Sequence, residues 1–176
     1  KVKGNRKAHF NYGIDYKGKH WAPKKWALKE GDKVFIVEGI FHAIALDHGG
    51  KKAVAAFTCG CLPTEYIDQY KGKGVTWCLA YDNGPAGRKY CRKFKPVLEA
   101  MGEKVEIHLC ENDKTDWDEA YRRGEFDKPD FWRKCATRGK LLVAADAKEA
   151  GYIHCCERQF GYTVIEHGTR LWSVCT

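Results

Sequence analysis

Three acids in this chain stand where a sequence can do chemistry: Glu38 in VFIVEG, Asp82 in LAYDNG and Asp116 in KTDWDEA. Each follows, at once or within a few residues, a short and almost unbroken apolar run of the kind that forms a strand buried on both faces. If those runs are parallel strands of one sheet, their carboxyl ends share one edge, which is where open α/β sheets bind ligands. Carboxylates gathered on one edge repel each other unless a cation neutralises them. Oxygen donors of this kind suit Mg²⁺ or Mn²⁺, held by a few carboxylates together with water and phosphate oxygens. Asp118, just past Asp116, is a further candidate ligand. Each acid also has a local reading: Glu38 complements a helix dipole, Asp82-Asn83-Gly84 makes a turn, and Asp116 caps a helix. Three such coincidences on one edge favour the cation.

The elements that would position these acids alternate regularly. KVFIVEG reads as a first strand, and GIFHAIALDHGG as a helix that Gly49-Gly50 stops. AVAAF, VTWCLAY and KVEIHL read as three more strands. LPTEYIDQY and TDWDEAYRRG read as short helices. PAGRKYCRKFKPVLEAMG reads as a long helix with Tyr90, Phe94, Val97 or Leu98, and Met101 on its apolar side, and Pro96 should kink it. The order βαβαβαβα predicts an α/β domain over residues 29–124, with about four parallel strands and helices on both faces. Residues 1–28 form a basic, aromatic segment of short strands. Residues 125–176 form an α/β appendage, a helix followed by a hairpin with His167-Gly168 at its turn.

Composition narrows the partners. Lys and Arg number 31 against 23 Asp and Glu, giving a net charge of +8 and a pI near 9.0. That balance favours a polyanion, most often nucleic acid, although a solvated basic surface has the same charge. The helix after Asp82 carries Arg88, Lys89, Arg92 and Lys93, with Arg88 and Arg92 on one face. Lys24 and Lys25 lie in the first segment among Phe10, Tyr12, Tyr16, Trp21 and Trp26. Cations that track phosphates beside stackable rings suit a single strand, whereas buried rings would simply be core. His42, four residues past Glu38, reads as a partly buried helix residue, and His108 ends the fourth strand near the acidic edge. The nine cysteines contain no C-x-x-C pair, and most read as buried thiols in a reducing cytoplasm. No run approaches the roughly 18 apolar residues that span a bilayer. Starting at Lys1, the chain reads as excised from a longer one.

The ordered set VFIVEGIFHAIAL, LAYDNGPAGRK and KTDWDEA resembles the Toprim domain of primases, topoisomerases and related nucleases, over about Lys33 to Gly124. The AGRK continuation is most similar to phage- and plasmid-type primases and primase-helicases. The resemblance implies a Rossmann-like fold in which Glu38, Asp82 and Asp116 are catalytic, with Asp118 joining them as metal ligands for Mg²⁺ or Mn²⁺. It implies nucleotidyl transfer, making RNA primers on single-stranded DNA from nucleoside triphosphates, with a helicase as attached domain or subunit. The chain departs from the family at Gly84, where the second acid of an Asp-x-Asp pair usually stands. Two alternatives therefore stay open: a metal-dependent nuclease using the same acids, and a nucleic-acid-binding module that has lost its chemistry. A dinucleotide-binding domain fits poorly, because EGIFHA replaces the G-x-G-x-x-G expected after the first strand.

Overall fold

Side chains of a strand point alternately to the two faces of its sheet. A strand that is apolar at nearly every position therefore needs cover on both faces. The computed structural model describes residue 13, residues 15–145 and 148–150, and the backbone of 165–167 and 170–172. Strands β1 (Lys33–Val37), β2 (Lys52–Ala55), β3 (Thr76–Leu79) and β4 (Lys104–Ile107) form one parallel sheet in the order β2-β1-β3-β4. Between and after them run α1 (Ile40–His48), α2 (Thr64–Gln69), α3 (Pro85–Ala100), α4 (Trp117–Arg122) and α5 (Phe131–Val143).

The alternation splits the interior into two cores. On one face Ile36, Val54, Trp77, Leu79 and Ile107 pack with Tyr66 and Ile67 of α2 and with Cys91, Phe94 and Leu98 of α3. On the other face Phe35, Val37, Ala53 and Cys78 pack with Ala43 and Leu46 of α1, Trp117 of α4, and Phe131 and Cys135 of α5. The fold is the expected Rossmann-like α/β layer with helices on both faces. Its strand order also sets the site. The chain leaves β1 for α1 on one face and leaves β3 for α3 on the other, so a crevice opens between the carboxyl ends of these neighbouring strands.

Other details refine the sequence reading. The helix α3 runs on through the exposed Pro96 to Ala100. Leu98 rather than Val97 completes its buried stripe; Val97 is 46% exposed. In the described part of the first segment, Trp21 bridges antiparallel to Ala55, and Gly18 has a positive φ of 77°. Lys1, Lys3, Arg6, Lys7, Phe10 and Tyr12 lie outside the described residues. Near the C-terminus, β5 (Ile165–His167) pairs antiparallel with β6 (Arg170–Trp172), His167 opposite Arg170. The expected turn residue Gly168 lies outside the described residues.

The helix after residue 124 covers the sheet directly. Leu109 N–H donates to the Cys135 carbonyl at 3.1 Å, and a Cβ on Gly139 would collide with the carbonyl oxygen of Ile107. Only glycine lets α5 come this close to the end of β4. Gly139→Ala is therefore expected to cost about 2–3 kcal/mol by overpacking, read as a lowered Tm with unchanged helical content. An unchanged Tm would show that α5 does not hold this position.

Candidate active site

Glu38 follows the last residue of β1, and Gly39 behind it is the N-cap of α1. Asp82 lies three residues past β3, and Asp116 is the N-cap of α4. All three therefore reach the carboxyl edge of the sheet, with Glu38 and Asp82 flanking the crevice between β1 and β3.

Backbone contacts fix Asp82 and Asp116. A Cβ on Gly87 would collide with the Asp82 carbonyl oxygen, so the first turn of α3 is seated directly on Asp82. Asn83 is buried; its Nδ2 donates to the Cys110 carbonyl at 2.8 Å, tying the loop after β3 to the loop after β4. Asp116 Oδ1 accepts the Glu119 N–H at 2.7 Å, so its capping role is real and leaves Oδ2 for other work. The fully buried Trp117 donates its indole N–H to the Ala80 carbonyl at 2.6 Å, which pins α4 to the end of β3.

His42 joins the acids. Its Nδ1 is 3.6 Å from Asp82 Oδ1 and its Nε2 is 3.5 Å from Asp116 Oδ2. The imidazole thus stands between two carboxylates from different strand ends. Spacing from Glu38 put His42 on this turn of α1, but its role depends on α4 folding back against α1. Neither His42 Nδ1 nor Asp82 Oδ1 makes a hydrogen bond, although both atoms are buried. Cys59, in the loop after β2, lies by Glu38 and partly offsets the rise of its carboxyl. That loop contains Phe57, which holds a left-handed φ of 67°, a strained conformation for a residue with a side chain.

Burial pushes the carboxyls of both Glu38 and Asp82 above the usual range. Asp82 adds to the rise at Glu38, and Asp116 adds to it at Asp82, where His42 opposes it. The rim is an electrostatic liability that a cation would relieve, and its all-oxygen acids fit Mg²⁺ or Mn²⁺. Mg²⁺ keeps several waters and needs only one or two direct carboxylates, so the acids need not crowd together. The orphaned Asp82 Oδ1 fits such an ion.

The other candidates are placed as follows. Asp118 pairs with Arg122 at 3.1 Å rather than turning to His42. Arg88 reaches Asn83 Oδ1 at 3.5 Å, next to Asp82. Lys89, Arg92 and Lys93 are exposed along α3. Lys24 pairs with Asp47 at 3.0 Å, and Lys25 is exposed beside it. Gly84, the N-cap of α3, has φ −85° and ψ 172°, and the nearest atom to an added Cβ would be Asp113 Cβ at 3.9 Å. No left-handed conformation requires glycine there, and an aspartate would fit.

Among the described residues, the one group of three or more metal-ligating side chains with donor atoms all within 4.8 Å is Cys78, Glu106 and His108. It lies within the sheet rather than at the rim, because Cys78 and Glu106 are register partners on β3 and β4. Glu106 is already engaged, by His108 Nε2 at 2.9 Å and by Lys33 Nζ at 2.7 and 2.8 Å. The His108 hydrogen bond and then Lys33 hold its carboxyl down to about 2, so the cluster's negative charge is balanced without an ion.

A carboxyl whose pKa is raised by folding stabilises the fold at and below its ordinary value, here 3.8 for Asp82, and loses that contribution as pH rises through the raised value. Asp82→Asn, without added metal, is expected to raise Tm by a few degrees near neutral pH. The gain should vanish as pH falls toward 3.8. A lower Tm for the variant at neutral pH would mean that the rim carboxylates are not in conflict.

A family model described as Toprim-like matches residues 35–121. No curated protein matches the chain. Among solved structures, the chain is similar to the RNA polymerase domain of Mycobacterium tuberculosis primase DnaG, at 13% identity and a TM-score of 0.47. The match covers 71% of this chain and 44% of that one, so this chain spans less than half of its length. Residues 35–121, which carry Glu38, His42, Asp82 and Asp116 on one sheet edge, are a Toprim-like domain.

Proposed function

We propose that this chain is the Toprim catalytic portion of a DNA primase-type protein, joining ribonucleotides into primers on single-stranded DNA with Mg²⁺ or Mn²⁺. The observation that carries the reading is the bracketing of His42 by Asp82 and Asp116, at 3.6 and 3.5 Å, beside Glu38 at the crevice. The primase type rests on the motif set and its AGRK continuation. Working in the cytoplasm with a helicase as domain or subunit belongs to the same proposal.

Glu38, Asp82 and Asp116 would hold the ion. When bound, it neutralises charge on phosphoryl oxygens and makes the attacking hydroxyl more acidic. Glu38, whose burial strengthens its hold on a proton, is suited to accept the proton from that hydroxyl. His42 keeps Asp82 and Asp116 in position from behind. Arg88 lies beside Asp82 where the phosphates of a triphosphate would arrive. Lys89, Arg92 and Lys93 extend that charge along α3 for the polyanion.

A second reading is favoured by Gly84: a nucleic-acid-binding Toprim module without chemistry, because one family acid is absent. One assay separates the two. With single-stranded DNA, ribonucleotides and Mg²⁺ or Mn²⁺, the wild type should make short RNA, and Glu38→Gln should lower the yield at least about 100-fold while retaining DNA binding. Equal behaviour of wild type and variant would leave the binding module. DNA cleavage without ribonucleotides, lost in the same variant, would instead show a nuclease.

Gly84→Asp should tighten Mn²⁺ binding in calorimetry. Gly84→Asn, which also caps α3 but adds no charge, should leave it unchanged. Equal Mn²⁺ affinity in all three proteins would show that position 84 does not face the ion.

A further inference from the structure

Away from the acids, a groove of about 670 Å³ runs between residues 20–27 and α2, in the size range of roughly 300–1,000 Å³ typical of small-molecule sites. It starts at the carboxyl edge of the sheet, because Trp21 exchanges backbone hydrogen bonds with Ala55 at the end of β2, at 3.1 and 2.8 Å. Its walls are rings. His20 and Tyr66 are 4.8 Å apart, Tyr66 and Tyr70 are 5.2 Å apart, and Tyr70 holds the facing segment by donating its hydroxyl to the Trp26 carbonyl at 2.8 Å. Lys24 lies over the Trp26 ring at 4.3 Å, and Lys25 is exposed next to it. Two of the residues that line this groove, Trp26 and His20, each carry a buried ring nitrogen, Nε1 and Nδ1, without a hydrogen-bond partner.

We propose that this groove takes one unpaired base of a single-stranded nucleic acid and reads its edge through Trp26 Nε1 and His20 Nδ1. The inference rests on the nucleic-acid reading above and adds base selection to it. An unsatisfied indole N–H is costly in a fold, and a base edge supplies the acceptors it lacks. Burial lowers the proton affinity of His20, so its ring is the neutral form that offers one donor and one acceptor, as a base edge does. Lys24, which lies over the Trp26 ring and pairs with Asp47 at 3.0 Å, is the cover. As a base stacks on the Trp26 ring, Lys24 lifts from it and meets the backbone phosphate. Stacking alone is tolerant of sequence, so the two ring nitrogens supply the discrimination.

The test uses 12-nucleotide dA, dC and dT homopolymers at a fixed salt concentration, read by fluorescence anisotropy. The wild type should bind its preferred homopolymer about tenfold more tightly than its weakest. Trp26→Phe keeps a ring but removes the N–H, and should shrink that spread to threefold or less without changing the salt dependence. Lys25→Ala should do the reverse, reducing the salt slope by about one and leaving the spread intact. A 4-thiothymidine oligonucleotide should crosslink to the peptide holding Trp26 or to Tyr70. An undiminished spread in Trp26→Phe, no spread in the wild type, or crosslinks confined to other elements would overturn the proposal. Glu38→Gln separates the two readings. Primer synthesis that requires Glu38 beside an unchanged spread in Trp26→Phe removes the pocket alone. A spread that collapses in Trp26→Phe, with no product from the wild type, removes the primase reading alone.

Discussion

The structure is organised around a conflict of charge. Carboxylates from β1, from the loop after β3 and from the start of α4 are brought to one edge, partly buried, with a single imidazole between two of them. Such an arrangement costs stability, and nothing about the packing of the two cores requires it. Packing does explain why the conflict persists. The sheet ends are set by buried strands, Gly87 seats α3 against the Asp82 backbone, and the Trp117 indole fastens α4 to the end of β3. None of the acids can withdraw from the edge without disturbing one of these contacts.

Strand order turns that conflict into a site. The chain departs from the neighbouring strands β1 and β3 toward opposite faces, so the crevice between them is free of covering helix. Glu38 and Asp82 occupy its two sides, and α4 brings Asp116 from beyond. The basic side chains of α3 begin within one turn of Asp82, so a run of cations lies beside the acidic edge. The two kinds of charge are separated by position on the elements, and so do not cancel.

Much of this was legible in the residues. Nearly continuous apolar runs revealed strands buried on both faces, and the residues at their ends revealed the edge. Asp116 was legible as a cap, and the structure shows that cap together with a free oxygen on the acidic edge: Oδ1 serves α4 while Oδ2 faces His42. What stayed hidden depends on contacts distant in the chain. His42 looked like an ordinary helix residue because nothing local shows that α4 returns against α1. Asn83 acts through a backbone partner, the Cys110 carbonyl, that no spacing rule reveals. The closeness of α5 to the sheet turns on Gly139, one glycine inside a helical pattern, which sequence rules read as a weakness rather than as a point of contact.

The proposed function requires a divalent cation at the rim rather than at the Cys78, Glu106 and His108 cluster. A crystal grown with Mn²⁺ and measured at an energy where manganese scatters anomalously tests it directly. A peak is expected within coordination distance of Glu38 or Asp82 at the carboxyl edge of the sheet. A peak at His108 and Cys78 with none at the rim would contradict it.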